Sequence, residues 1–420
     1  MRRFLALYLQ PRLIAILLLG FSSGLPLALT ASTLAVWLLE AQVDLAAIGL
    51  FAAVATPYNL KFLWAPLIDG LPFPFLSRLL GRRRGWMIAT QLACAASLCV
   101  LGAIDPAQHV WWVALMAIVV AFCSASQDIV IDAYRVEILP AEQQGAGAAM
   151  VVLGYRFGMI ASSAGALYLA SYTSWAMTYW IMAALMGVGM VTALIAGEPA
   201  TQVAPDRPHM GVAAWLKKHV AEPFADFIQR DHWLVILLFI LFYKLADAFM
   251  GLMPNVFYRD IGFSKEEIAT VVKLFGLTAT IVGSFIGGYI VTRLGIVRSL
   301  WICGIAHALT NVMFVVQAHV GADIRVLALG ITLENVTGGM GTAAFVAFMS
   351  SLCHVQFTAT QYALLSSLSS VGRTWLSTPA GWVSKQLGWE LFFVFATLLA
   401  IPGLLILAWL MRRVDLNKPA

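Results

Sequence analysis

Apolar runs of about twenty residues recur from one end of this chain to the other, separated by short polar stretches. A helix of that length rises about 30 Å, the thickness of the hydrocarbon core of a bilayer. The runs fall near 13–39, 46–66, 86–104, 109–134, 144–170, 175–196, 232–258, 266–291, 298–318, 324–350, 358–383 and 388–411. They predict an all-α membrane protein, a bundle of about twelve transmembrane helices. The first run follows Met1-Arg2-Arg3 without a small-residue cleavage site, so it reads as a span and not as a removed leader.

Composition agrees with lipid as the main solvent. The 420 residues are 61% hydrophobic and 11% charged, with a mean hydropathy of +0.86. A water-soluble domain carries about a quarter charged residues. The net charge of +5 therefore records topology and not nucleic-acid binding. One set of loops holds Arg2, Arg3, Arg12, Arg78, Arg82, Arg83, Arg84, Arg135, Arg207, Lys217, Lys218, Arg230, Arg293, Arg298, Arg412, Arg413 and Lys418. The opposite set holds only Arg259, Lys265, Arg325 and Lys385. The positive-inside rule then puts both termini in the cytoplasm. Cys94, Cys99, Cys123, Cys303 and Cys353 lie in or beside apolar runs without C-x-x-C spacing, which speaks against disulfides or zinc. The chain lacks H-E-x-x-H and G-x-S-x-G, and its histidines are scattered, which argues against a membrane-embedded enzyme. No metal or cofactor is expected.

The longest polar stretch, 197–231, reads as a linker (with Ala204-Pro205-Asp206-Arg207-Pro208) followed by a short amphipathic helix carrying Trp215, Leu216, Val220, Phe224 and Phe227. It divides the chain into six-helix halves, 1–196 and 232–420. The halves read as repeats. Gln144 precedes Arg156 by the same spacing as Gln361 precedes Arg373. Lys61 and Lys273 occupy the second run of each half. Gln127-Asp128 and Glu334-Asn335 occupy the fourth. Such repeats place substrate handling between halves that rock against each other.

The layout and the loops Gly81-Arg82-Arg83-Arg84 and Gly295-x-x-Arg298 resemble the major facilitator superfamily. More narrowly, the blocks 124–134 (Ser-Ala-Ser-Gln-Asp-Ile-Val-Ile-Asp-Ala-Tyr), 139–148, Val152-Leu153-Gly154-Tyr155-Arg156, 243–249, Glu334-Asn335 with Gly338-Gly339-Met340-Gly341, and 359–366 resemble the AmpG-type muropeptide permeases, from the first run to the last. The resemblance implies import of N-acetylglucosaminyl-anhydromuramyl peptides from periplasm to cytoplasm for peptidoglycan recycling. It further implies the proton gradient as driving force with no cofactor, the bacterial inner membrane, a monomer, and a link to β-lactamase induction. The alternative is another large anionic or acyl-linked substrate on the same fold. The loop after the second run departs from the superfamily pattern, being interrupted by Leu71-Pro72-Phe73-Pro74-Phe75.

Ionisable groups at membrane depth cost roughly 2.5–3.5 kcal/mol each on insertion scales and usually face a cavity. The candidates follow from that cost. Asp128, Glu334 and Asp247 are the proton-coupling carboxylates, with Asp128 first, and Arg156 and Lys61 are its possible basic partners. Gln127, Arg156, Tyr155, Lys61, Lys244, Lys273, Asn335, Gln361 and Arg373 are the substrate-binding candidates, since guanidinium forks suit carboxylates. Asp132, Arg135 and Asp69 are the gating candidates. For Lys244 and Asp247, three apart, a simple helix-surface ion pair competes with a role in transport. Gly20, Gly24 and Pro26 in the first run, and Gly338, Gly339 and Gly341 in the tenth, fit either close helix packing or a hinge.

Overall fold

In the computed structural model, which describes residues 6–200, 211–251 and 253–413, every element is a helix and no strand occurs among the described residues. The chain forms two compact units. Unit 1 comprises Met1–Pro140, Met150–Pro223 and Cys353–Ser367; unit 2 comprises Ala141–Ala149, Phe224–Leu352 and Leu368–Ala420. The boundary at Pro223 falls inside the polar stretch 197–231, and two short segments are exchanged between the halves read from the sequence.

Among the described residues, eight helices are long and apolar enough to cross a bilayer. Two of the other expected spans are interrupted. The second run is a chain of short turns from Leu45 to Gly70, with 3₁₀ segments at Phe51–Ala55 and Lys61–Leu63. Pro57 and Pro66 each remove a backbone donor there, so a regular ladder cannot persist. The seventh run is Trp233–Tyr243, a break at Lys244, then Leu245–Met250 and Met253–Asp260 beyond Gly251, whose φ is +48°. The tenth and eleventh runs are each a continuous α-helix, Ile324–Ser351 and Thr358–Leu376. Broken helices at membrane depth occur where freed backbone groups line a cavity or find other partners.

In unit 1 the elements that matter are α1 (Pro11–Leu29), α2 (Arg82–Ala103), α3 (Pro106–Ile138), α4 (Gln144–Ile160, in unit 1 from Met150) and α5 (Gly187–Ile195). Asp105 caps α3 by accepting from Ala107 N–H at 3.0 Å. Neither glycine set interrupts its helix. α1 runs unbroken through Gly20 and Gly24, which lie against the backbones of Val151 and Tyr155; Gly154 and Gly158 of α4 lie against those of Leu17 and Phe21. Two G-x-x-x-G faces thus bring α1 and α4 into backbone contact. A Cβ at Gly154 would overlap the Leu17 carbonyl. Gly154→Val is therefore expected to cost about 3 kcal/mol or more, read as loss of monodisperse protein on size exclusion; a wild-type melting curve would show that the helices can part.

In unit 2 the elements are α6 (Trp233–Tyr243), α7 (Leu245–Met250), α8 (Gly276–Leu294), α9 (Ile296–Thr310), α10 (Ile324–Ser351) and α11 (Thr358–Leu376, in unit 2 from Leu368). Gly283 and Gly287 of α8 pack on the backbones of Val336 and Met340, and Gly339 packs on that of Thr280, so α10 also runs through its glycines uninterrupted. Asp323 caps α10 as Asp105 caps α3, accepting from Arg325 N–H at 2.7 Å. The repeat is visible in backbone geometry as well. Gly81 before α2 has φ +96°, ψ 168°, and Gly295 before α9 has φ +80°, ψ 168°. That region suits glycine, which explains a glycine ahead of both basic motifs.

The expected amphipathic helix spans Val212–Leu216 and Glu222–Ile228 with a π turn, Lys217–Ala221, between them. His219, Pro223 and Phe227 recur every fourth residue on its buried side. The linker Ala204–Pro208 ahead of it lies outside the described residues.

Candidate functional site

Unit 1 carries a polar seam where the broken second run meets α1 and α3. Asp128 and Asp132 share one face of α3, as i, i+4 spacing requires. The Asp128 carboxylate accepts a hydrogen bond from the Ser23 hydroxyl at 2.6 Å. Lys61, in a 3₁₀ turn and 9% exposed, pairs with Asp132 at 3.7 Å. Of the expected partners of Asp128, Lys61 is near enough to act on its charge but makes its ion pair with the next carboxylate, and the direct hydrogen bond to Asp128 comes from a hydroxyl. Arg156 makes no hydrogen bond or ion pair among the described residues, and is partly exposed. Arg135 pairs with Asp132 at 3.8 Å and lies over the Tyr362 ring at 5.2 Å. It is fully buried, and so not an exposed helix-end charge.

Gln127 has a different task from the substrate contact expected of it. It is fully buried, and its amide donates to the Ser22 carbonyl at 2.8 Å. Ser22 is four residues before Pro26, the position whose carbonyl a proline leaves without its helical donor. Gln127 supplies that donor from the neighbouring helix and ties α3 to α1. Gln127→Leu strands the Ser22 carbonyl in an apolar interior and should lower stability by about 1–3 kcal/mol. Pairing it with Pro26→Ala, which restores the intrahelical donor, should recover most of the loss in a thermal melt. No recovery would mean that Gln127 acts elsewhere. Gln361 is likewise consumed: its side chain accepts from His354 N–H at 2.7 Å and donates to the Pro223 carbonyl at 3.1 Å. Tyr155 is partly buried, its backbone against Gly24 of α1.

A second cluster of unit 1 surrounds Asp69. Arg83, 1% exposed, donates to Asp69 at 2.8 Å and to both oxygens of Glu137 at 2.5–3.1 Å. Asp69 also accepts from the backbone N–H groups of Ala359 at 3.2 Å and Thr360 at 2.7 Å, and from the Thr360 hydroxyl at 2.8 Å. It therefore caps the start of α11, where a carboxylate is favoured by the helix dipole. Glu198 receives the N–H groups of Arg83 and Arg84. The 71–75 interruption leaves this cluster intact, because Trp86 donates to the Leu71 carbonyl at 2.7 Å and Ser77 accepts from Phe73 N–H at 2.8 Å, folding the insert back on itself. Sequence reasoning listed Asp69 but passed over Arg83, Glu137 and Glu198. In sequence the arginine run reads as topology and as a superfamily motif, neither of which names its partners.

In unit 2 the polar groups gather at the break in the seventh run. Lys244 pairs with Asp247 at 2.9 Å, and the other oxygen of Asp247 meets His307 Nε2 at 2.6 Å. His307 Nδ1 contacts the Thr337 hydroxyl at 3.1 Å. Glu334 accepts from the Asn335 amide at 2.7 Å, and Asn335 accepts from the Thr280 hydroxyl at 2.9 Å. A cavity of about 20 Å³ beside Lys244, Asp247 and His307 is lined also by Asn311, which suffices for about one water. His307 was missed as one of several scattered histidines. The available signal was an ionisable side chain inside the apolar run 298–318. The Lys244–Asp247 pair therefore does form, but as part of a three-helix network. The side chains of Lys273 and Arg373 lie outside the described residues; their backbones are helical.

Two helical units, each with charged networks inside otherwise apolar helices, have the makeup of a membrane transporter built from two halves. The model of the Major Facilitator Superfamily matches residues 16–246 and 233–420. The chain is 43% identical over 407 residues to the anhydromuropeptide permease of Escherichia coli (strain K12), covering 96% of this chain and 81% of that one. It is 37% identical to the putative transporter AmpG 4 of Rickettsia conorii, covering 98% and 100%. The solved structure of the major facilitator transporter FucP in the outward conformation shares the fold, with a TM-score of 0.69 at 13% identity over 96% and 99% of the two chains. The chain belongs to the major facilitator superfamily and, within it, to the AmpG-type permeases. It is a multi-pass membrane transporter and not an enzyme.

Proposed function

We propose that this protein imports anhydromuropeptides from periplasm to cytoplasm, driven by protons moving down their gradient, for recycling of peptidoglycan. The observation that carries the substrate is the 43% identity, over nearly the whole chain, to a permease named for those compounds. Inward direction and a place in the inner membrane rest on the resemblance to the AmpG-type permeases, and cytoplasmic termini on the loop charges. Coupling rests on the carboxylates that the membrane interior would otherwise exclude: Asp128, whose hydrogen bond among the described residues comes from a neutral hydroxyl, with Glu334 and Asp247 as counterparts in unit 2. Arg156, which meets no carboxylate among the described residues, holds an anionic group of the substrate, and Arg373 is the candidate for such a contact in the second half. Asp69, Asp132 and Arg135 serve the gate.

The test is uptake of labelled N-acetylglucosaminyl-anhydromuramyl peptide into oriented vesicles, with and without an imposed pH gradient. Accumulation that needs the gradient, and that unlabelled anhydromuropeptide suppresses, is the expected result. Arg156→Lys keeps the charge but loses the fork, and in the same vesicles should raise the half-saturating concentration without reducing the amount of folded transporter. Uptake indifferent to unlabelled anhydromuropeptide but suppressed by another large anion would reassign the substrate.

A further inference from the structure

A groove of about 790 Å³ opens on unit 1, away from the polar seam. It lies between the first turns of α1, the last turn of α3 and the length of α5, with Arg12, Tyr134, Ile138, Val191 and Glu198 among its walls. At 100° per residue, Tyr134 stands roughly 200° around α3 from Asp132, and Ile138 follows one turn later on the same side. The groove therefore faces outward. Val191 and Ile195 are 55% and 81% exposed, and in a membrane transporter such apolar surface meets lipid chains. Its volume falls within the range of about 300–1,000 Å³ typical of small-molecule sites.

One end of the groove is charged. Arg12 sits in the first turn of α1, exposed, and its one hydrogen bond among the described residues is a long contact of 3.4 Å to the Ile138 carbonyl. The guanidinium has five N–H donors, so most remain free. The acid in the groove wall, Glu198, makes no ion pair with it among the described residues, its two oxygens being directed to the backbone N–H groups of Arg83 and Arg84 at 2.7 and 3.1 Å. An apolar trough within the bilayer, ending at an arginine at the start of a span, has the chemistry of an amphiphile with a negative head.

We propose that this groove is a binding site for one anionic glycerophospholipid, with an acyl chain against α3 and α5 and its phosphate on Arg12. The occupant ties the start of α1 to the ends of α3 and α5, and so stabilises unit 1 by mass action.

The experiment titrates delipidated full-length protein in detergent with phosphatidylglycerol or with phosphatidylcholine of the same chains. Bound lipid is read by native mass spectrometry and stability by thermal melting. The expected result is a single retained phosphatidylglycerol and a raised melting temperature, with weaker retention of phosphatidylcholine. Arg12→Gln should weaken phosphatidylglycerol retention by about fivefold, the value of one basic side chain at the membrane surface, while Arg12→Lys keeps it. Val191→Trp, which fills the groove and leaves Arg12 in place, should also lose the lipid. Lipid-free melting curves matching the parent show that these variants fold. Equal retention of the two lipids by the parent, undiminished phosphatidylglycerol on Arg12→Gln, or the same melting shift with inorganic phosphate alone would each overturn the proposal.

Discussion

Arg83→Met is expected to be the most destabilising charge removal in unit 1, by about 3–5 kcal/mol. Arg83 bridges two carboxylates whose side chains are 1% and 2% exposed, Asp69 and Glu137. Without it those acids face each other with only Arg82 near, 3.8 Å from Glu137. The loss spreads further, because Asp69 also holds the N–H groups that begin α11, and a carboxylate that takes up a proton to escape repulsion is a weaker cap. Arg83→Lys retains the charge but cannot span both acids in one plane, so it should fall between. Adding Glu137→Gln to Arg83→Met removes one of the two orphaned charges and should restore part of the stability, the other carboxylate, Asp69, keeping the donors of Ala359 and Thr360. Chemical unfolding of the purified protein measures all four states. A single variant within about 1 kcal/mol of the parent would show that the bridge is no more than a surface pair in effect.

Asp128→Asn is expected to uncouple transport from the proton gradient while leaving the protein folded. The amide keeps the shape of the carboxyl group and an oxygen to accept from Ser23, the contact Asp128 makes at 2.6 Å. Lys61 keeps its partner Asp132, so no basic group is stranded. One proton carried per substrate across one unit of pH gradient supports roughly tenfold accumulation. The variant should exchange labelled for unlabelled substrate across vesicles as the parent does, yet hold an inside-to-outside ratio near one when the gradient is imposed. A persistent tenfold ratio would move the proton to Glu334 or Asp247. Of those, Asp247 is already engaged by Lys244 and His307, whereas Glu334 has only the Asn335 amide within hydrogen-bond reach among the described residues.

Much of the architecture was legible from local chemistry. The lengths of the apolar runs mark the helices, because hydrocarbon demands about twenty residues with internally satisfied backbones wherever they occur. Asp105 and Asp323 as caps, the G-x-x-x-G faces, and the shared face of Asp128 and Asp132 all follow from spacing within one helix. The interruptions were less clear. Pro57 and Pro66 signal the broken second run, but the break at Lys244 has no local marker, and Gly20, Gly24 and Gly339, which read equally as hinges, lie against the backbones of neighbouring helices.

The sequence by itself determined that this chain is a helical membrane transporter, where its apolar helices lie and which costly charges they carry. Only the tertiary structure decided which groups those charges meet. Asp69 finds the start of α11 across 290 residues, His307 reaches Asp247 across 60, Lys61 selects Asp132 over Asp128 as its ion-pair partner, and Gln127 turns to the carbonyl that Pro26 leaves open. The reason is one of range. Hydrophobicity is a sum over neighbours in the chain and can be read along it, whereas a hydrogen bond acts over about 3 Å, so its partner exists only after helices distant in sequence have packed.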